Sequence, residues 1–192
     1  MRGVFYSLIR LLGGTLLGLC SYGLVAQTVP PGWPAPEQTT ELRLKGEDLD
    51  SLPPFLRHYS RLKKLDLSKN NLRKLPTWLG DMKSLEVLDL RKNPLQRFPR
   101  HLAALPRLQK LILAQTEIDS LPRAVSRFPA LRYLDLWDSE LAYLHPGIRA
   151  ADSLRWLDLR QTYLSTQDLQ GLIRDRPQWE IKSTYGCNCG MR

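Results

Sequence analysis

Apolar and polar residues follow one another along this chain in a pattern that repeats every 23 residues. The unit reads L-x-x-L-x-L-x-x-N-x-L-x-x-L-P-x-x-L-x-x-L, and the segment that begins at Leu62 fits it well. Six units in register begin at Thr39, Leu62, Leu85, Leu108, Leu131 and Leu154. A fixed period of about 20–29 residues is typical of a solenoid, in which each unit packs only against its neighbours.

The spacing inside each unit predicts a short strand followed by a return segment. In the second unit, Leu65 and Leu67 alternate with period two, so both point to one side of a strand and Asp66 points to the other. After Leu75 the apolar spacing changes to threes, which predicts a helical or 3₁₀ turn. Prolines stand at the start of this segment, where a missing N–H is tolerated: Pro53, Pro76, Pro99 and Pro122.

The ninth position of the unit carries polar residues that suit a bend. Asn70 and Asn93 occupy it in two units, and their amides can bond backbone groups between the strand and the return segment. Later units have Thr116, Ser139 and Thr162 at this position. We expect these shorter hydroxyls to do the same job only in part.

The motifs quoted above resemble the leucine-rich-repeat family, specifically its 23-residue L-P-x-x-L-x-x-L subclass of Ras-suppressor-like and bacterial proteins. The resemblance covers residues 39–178, which would form a domain of six units. It implies an α/β solenoid, a horseshoe with a concave parallel β-sheet and short helical or 3₁₀ segments on the convex side. It also implies protein recognition as the general function.

The two ends of the chain read differently from the repeats. Residues 1–26 combine an early arginine, a short apolar core and small residues, which is the pattern of a signal peptide. A lipoprotein signal ending at Cys20 and an uncleaved anchor are the alternatives. All three predict export, as a secreted or cell-envelope protein. Residues 27–38 are rich in proline and predict an extended spacer, with Trp33 as a cover for the first unit.

The C-terminal end is predicted to close the solenoid. Ser165 and Asp168 offer a capping box for a helix that runs to about Arg174. Residues 179–192 form the cap and tail, in which Trp179 would plug the core and begin a last strand. The state of Cys187 and Cys189 does not follow from the sequence.

The chain is basic, with a formal charge of +9 in 192 residues. Because 19 acids are interleaved with the basic residues, a solvated surface is the simpler interpretation. The alternative is a basic envelope-associated protein that attaches electrostatically to an anionic surface. The residues expected to do so lie in the return segments: Arg57, Arg61, Arg97, Arg100, Arg123 and Arg127.

Equivalent residues of adjacent parallel strands should form columns on the sheet, about 4.8 Å apart. The central column contains Arg43, Asp66, Asp89, Ile112, Asp135 and Asp158. These carboxylates could hold a cation, but Asp between two leucines is frequent in this repeat type, so we interpret them as solvated. In the flanking columns Tyr133 should neighbour Trp156, and Trp137 should neighbour Arg160.

Aromatic residues and arginine dominate the energetics of protein interfaces. We therefore predict a partner-binding patch on the C-terminal half of the concave sheet, and we call it the aromatic patch. It consists of Tyr133, Trp137 and Trp156 as apolar anchors, with Asp135, Asp158 and Arg160 as orienting residues. The alternative is that these large side chains only cover the sheet.

No catalytic constellation is evident in the sequence. His58, His101 and His145 occupy different repeat positions and are expected on the surface, and no phosphate loop or catalytic motif is present. We predict a monomeric, non-enzymatic binding module without cofactor or metal. Its expected partner is a protein or peptide ligand. We expect no nucleic-acid partner, and association with a membrane surface stays open.

Overall fold

A computed structural model describes residues 29–184 of the chain. Seven parallel strands form one sheet in the order β1-β2-β3-β4-β6-β8-β9. Their bounds are β1 Glu41–Arg43, β2 Lys64–Asp66, β3 Val87–Asp89, β4 Lys110–Ile112, β6 Tyr133–Asp135, β8 Trp156–Leu159 and β9 Glu180–Ser183. A second sheet pairs β5 (Ser120–Leu121) with β7 (Tyr143–Leu144). The α/β solenoid predicted from the repeat is confirmed.

The return segments are 3₁₀ helices, as the change of spacing predicted. They span η1 Pro54–His58, η2 Thr77–Asp81, η3 Arg100–Ala104, η4 Arg123–Arg127 and η5 Pro146–Ala150. The first four begin directly after the predicted prolines. We call the side that they form the convex side, and the opposite, outward face of the seven-stranded sheet the concave face.

The core lies between the sheet and the 3₁₀ helices. Leu65 and Leu67 of the second unit are buried, and so are the equivalent leucines of the units that follow. Asp66, between the two leucines, lies on the opposite face of its strand and is only partly covered. The alternation seen in the sequence therefore sets which residues reach the concave face.

Asparagine at the ninth position bridges neighbouring units. The Nδ2 group of Asn70 donates to the carbonyls of Leu44 (2.7 Å) and Leu67 (2.8 Å), and its Oδ1 accepts from the N–H groups of Glu47 (2.9 Å) and Leu49 (3.1 Å). Asn93 makes three of these four bonds one unit later, with Leu67, Leu90 and Leu72 as partners. The hydroxyls of the later units donate to the carbonyl three residues earlier in their own unit: Thr116, Ser139 and Thr162. The predicted roles are confirmed. The hydroxyls bond only within their own unit, so they do not form the bridge between units that asparagine forms.

The N-terminal end of the solenoid is covered by the proline-rich segment. Residues 30–39 form turns and do not extend, because the N–H groups of Trp33 and Gln38 donate to carbonyls three residues earlier. The indole of Trp33 meets the ring of Phe55 edge-on with centroids 4.8 Å apart, which confirms its covering role. The expectation of an extended spacer was wrong for this segment.

The C-terminal end closes as predicted. Helix α1 (Thr166–Asp175) begins after Ser165, whose hydroxyl accepts from the N–H of Asp168 at 3.1 Å. Trp179 is buried, with the Arg176 guanidinium 5.5 Å from its ring centroid, and strand β9 follows directly.

Residues 1–26, with Cys20, and the terminal Cys187 and Cys189 lie outside the described residues. Among residues 29–184, none of the helices has the length and apolar character that crossing a membrane requires.

Candidate functional site

The aromatic patch is built on the strands β4, β6 and β8. Their register places Lys110, Tyr133 and Trp156 side by side on the concave face. The rings of Tyr133 and Trp156 stack with centroids 3.8 Å apart and planes inclined by only 6°. The Lys110 Nζ lies 4.2 Å from the Tyr133 centroid, which is close enough for a cation–π contact. The predicted neighbourhood of Tyr133 and Trp156 is confirmed.

The other predicted residues lie beside this stack. Asp135 and Asp158 are partners in the register of β6 and β8. Pairing continues past the strands, since the N–H of Asp138 donates to the carbonyl of Arg160 at 2.9 Å. Trp137 therefore lies in the turn next to that of Arg160, and it is half-buried. The structure brings all six predicted residues to one part of the concave face.

Two aspartates of the central column are neutralised by the arginine two residues further along. Arg160 contacts both carboxylate oxygens of Asp158, with an Nη2–Oδ2 distance of 2.6 Å, and Asp158 itself is 1% exposed. Arg91 holds Asp89 in the same way. The hydrogen bonds that Arg160 donates to Asp158 raise the pKa of Arg160. The interpretation of these carboxylates as solvated was therefore wrong.

Asp135 differs from Asp89 and Asp158 because Trp137 stands where they have arginine. Its Oδ1 accepts from the N–H of Trp137 at 3.0 Å. Within residues 29–184 no Lys or Arg side chain forms an ion pair with Asp135. Burial, and then the charge of Asp158, raise the pKa of Asp135, although the Trp137 hydrogen bond and the charges of Arg91 and Arg160 oppose this shift. The patch thus contains a half-buried carboxylate without a cationic partner, an uncommon and costly arrangement.

The phenol of Tyr133 supplies the patch with a hydrogen-bond donor. Burial, with the nearby charges of Asp135 and Asp158, raises the pKa of Tyr133 to about 12. The hydroxyl is therefore protonated at neutral pH, and the side chain carries no charge that would compete with Asp135.

Charge on the two sides of the solenoid is arranged differently. On the concave face, four basic residues pair with carboxylates and Lys110 lies over Tyr133; the four are Arg43, Lys64, Arg91 and Arg160. In contrast, the six convex-side arginines named from the sequence are exposed, and in the described part of the chain none of them forms an ion pair. The sequence placed them on one side but did not show that they are unpaired.

The histidines are distributed differently from the expectation. His101 and His145 line one convex groove, although they occupy different repeat positions. The Nε2 of His101 is buried without a hydrogen-bond partner, and burial lowers the pKa of this imidazole. The described residues contain no group of three or more His, Cys, Asp or Glu side chains that could hold a metal ion.

Comparison with known families gives a match to the leucine rich repeat model over residues 37–95 and again over residues 60–118. Comparison with curated protein sequences gives no significant match. A leucine-rich-repeat protein of Leptospira interrogans is similar in structure, with a TM-score of 0.70 and 25% identity. That alignment covers 74% of this chain and 36% of the Leptospira chain.

Two further solved structures share the architecture. The leucine-rich-repeat domain of the type III effector XopL has a TM-score of 0.57 at 25% identity, with 65% of this chain and 43% of that chain covered. The Toll–Spatzle complex of Drosophila has a TM-score of 0.62 at 22% identity, with 78% and 21% covered. The present chain therefore spans less than half the length of each of these proteins. The family model thus covers residues 37–118, and the repeat spacing, the parallel sheet and these structural matches support the leucine-rich-repeat family for this chain.

Proposed function

We propose that this protein is an exported, non-catalytic recognition module that binds a protein or peptide through the aromatic patch. The leucine-rich-repeat fold generally serves protein binding, which supports the proposal that the partner is a protein or peptide. Toll and Spatzle form a complex, but at 22% identity the likeness shows only a common fold. The proposal consequently depends on the patch itself.

The observation that carries the proposal is the joint presence of stacked aromatics and an unpaired carboxylate. Tyr133, Trp137 and Trp156 are all half-buried, so each ring still offers apolar area to a partner. Rings held by packing lose little conformational freedom on binding, and aromatic residues of this kind make up most interface hot spots. A partner that covered them would remove further apolar surface from water, which stabilises the complex.

Asp135 gives the patch a chemical preference. Its carboxylate is already partly desolvated and forms no ion pair within residues 29–184, so a Lys or Arg side chain of the partner would supply a direct counter-charge. The surrounding rings favour the same group, because a cation over an aromatic face is attracted by the ring quadrupole. Asp158 is too buried to contact a partner directly. In this proposal it holds Arg160, whose exposed guanidinium would contact a carbonyl or carboxylate.

A selection from a displayed peptide library tests the proposal without knowledge of the natural partner. Peptides selected on the full chain should lose binding to the double variant Trp137→Ala and Trp156→Ala. Two lost hot spots at about 2 kcal/mol each correspond to a loss of affinity of roughly 1,000-fold. The selected peptides should be enriched in Lys or Arg, and their affinity should also fall on Asp135→Asn.

A matched control separates loss of the patch from loss of the fold. Trp78 is likewise a half-buried tryptophan, but it lies on the convex side in η2. Trp78→Ala should leave peptide affinity unchanged. Equal affinity of the wild type and the double variant, with unaltered circular dichroism, would remove the aromatic patch from consideration.

A further inference from the structure

A groove on the convex side has a strongly positive lining. It has a volume of about 590 Å³ and lies across η3, η4 and the sheet of β5 and β7. Arg100, Arg123 and Arg127 line it, and none of the described residues that line it is Asp or Glu. The three guanidinium groups form no ion pair within residues 29–184, so their positive charge is not compensated inside the protein.

The groove exists because small residues form its floor. Ala103, Ala104 and Ala124 line it between the arginines. Two units before Ala124, Trp78 occupies the equivalent place of the repeat in η2, where it packs against the core. The loss of side-chain volume from η2 to η4 therefore opens a depression where the arginines are concentrated.

The position of Arg123 depends on Gly147. A Cβ atom added at Gly147 would lie 2.9 Å from the Arg123 Cγ, closer than real Cβ atoms approach such neighbours, and 3.0 Å from the His145 Nδ1, which is tighter than most real contacts. The absence of a side chain at Gly147 thus makes room for the stem of Arg123 beside the imidazole of His145. Arg123 and His145 can therefore lie side by side only because residue 147 is a glycine.

Further hydrogen-bond donors surround the arginines. The Nδ1 of His145 accepts from the N–H of Gly147 at 2.9 Å, so the neutral ring carries its proton on Nε2, where it can donate to a ligand. The phenol of Tyr143, which is 54% exposed, also lines the groove. The hydroxyl of Ser120 is engaged, because it donates to Asp119 at 2.8 Å. Asp119 lies in the adjoining groove and marks the edge of the positive region.

We propose that this groove, which we call the arginine groove, binds a phosphate-bearing polyanion through Arg100, Arg123 and Arg127. A guanidinium group presents a planar fork of donors that matches phosphate oxygens, and phosphate carries enough charge and acceptors to engage several such forks. A single carboxylate would leave part of this charge unmatched. The site is separate from the aromatic patch. The sequence suggested that the whole basic side attaches to an anionic surface, whereas this proposal places the binding in the arginine groove alone.

Calorimetric titration of the full chain with tripolyphosphate tests the arginine groove. We expect one binding site per chain and an affinity that falls steeply as salt is added. Arg100→Gln, Arg123→Gln and Arg127→Gln should each weaken binding about tenfold or more, the usual effect of losing a charge-assisted hydrogen bond. Gly147→Ala should weaken binding several-fold without any change of charge, because it displaces Arg123.

Arg57→Gln is the matched control, because Arg57 is also exposed, unpaired in the described part of the chain and on the convex side, yet lies outside the groove. It should change the affinity less than twofold. If it weakens binding as much as Arg123→Gln, the attraction is diffuse and the proposed site is overturned. All variants should keep the wild-type circular dichroism spectrum and unfolding temperature within a few degrees.

Vesicles that contain phosphatidic acid distinguish a lipid headgroup from a soluble phosphate compound. Binding to vesicles that depends on Arg123 and is displaced by tripolyphosphate supports the groove and identifies a headgroup as a competent source. Arg123-dependent binding of tripolyphosphate alone supports the groove with a soluble ligand. If neither probe binds, or if both bind equally to the three groove variants, the proposal fails.

Discussion

The asparagine at the ninth repeat position offers a sharp test of how neighbouring units are joined. Asn70 and Thr116 occupy equivalent positions in different units, and each is 4% exposed. Asn70 makes hydrogen bonds into its own unit and the preceding one, whereas the Thr116 hydroxyl donates only to the carbonyl of Leu113. Replacement of each by Ala should therefore have different costs at the same burial.

The expected difference follows from the hydrogen bonds. In Asn70→Ala, the Leu67 carbonyl keeps the bond from Asn93 at 3.0 Å, but the N–H groups of Glu47 and Leu49 and the carbonyl of Leu44 lose the bonds from Asn70. At about 1 kcal/mol for each of three lost bonds, the free energy of unfolding should fall by about 3 kcal/mol. Thr116→Ala removes one bond and should cost about 1 kcal/mol.

Urea unfolding followed by circular dichroism measures both costs. The two variants should have m-values like that of the wild type, which shows that they unfold the same structure. A gap of about 2 kcal/mol between them is the predicted result. Losses that agree within about 0.5 kcal/mol would refute the idea that the asparagine amide, and not merely a polar side chain, couples adjacent units.

Two other predictions concern charge and export. Asp135→Asn keeps an oxygen that can accept from Trp137 but removes the charge. Because the folded-state pKa of Asp135 is raised above 3.8, the folded protein binds the proton more tightly, and stability falls as pH rises through this pKa. The variant should accordingly unfold at a higher temperature than the wild type at pH 7, with the difference shrinking near pH 3, and a difference of opposite sign would contradict this. For export, the intact mass of protein recovered from cells should correspond to a chain that begins at Gln27, while retention of Met1 or a lipid on Cys20 would support one of the alternatives.

The repeat made most of the fold predictable from sequence. An offset of 23 residues fixes which residues become neighbours in parallel strands, so the pairing of Tyr133 with Trp156 could be read directly. Asn70 could be placed at a bend for the same reason, because its position in the unit determines its surroundings. The turns of residues 30–39 were not predictable in this way, since they lie outside the repeat and depend on packing against Phe55.

The sequence predicted where the candidate site lies, but it did not predict which of its charged residues form ion pairs. The sequence placed Arg160 beside Trp137, yet the guanidinium turns to Asp158 on its own strand, where it makes a two-pronged ion pair. Nothing in the columns alone selects between these partners, because the choice depends on side-chain rotamers. Asp135 has Trp137 two residues further along, where Asp89 and Asp158 have the arginine that pairs with them, and this pairing emerged only from the structure.

The arginine groove could not be predicted by aligning equivalent repeat positions, for a different reason. Its lining combines residues from different repeat positions, including His101 and His145, and its depth depends on Ala103 and Ala124 in successive units. A comparison of equivalent positions detects features that recur, whereas this groove is a local departure from the repeat. The sequence indicated it only through Arg100 and Arg123, the equivalent arginines that begin η3 and η4 in successive units.

The two proposed sites make opposite demands on charge, and this separates them experimentally. Arg91 and Arg160 of the concave face are paired internally, so binding at the aromatic patch would depend on apolar contact and one local charge, Asp135. Binding at the arginine groove would depend on several exposed charges, which are screened within about 8 Å at physiological salt. Raising the salt concentration should therefore release a polyanion while a selected peptide stays bound. A peptide and a polyanion that dissociate in parallel would mean that one electrostatic surface serves both.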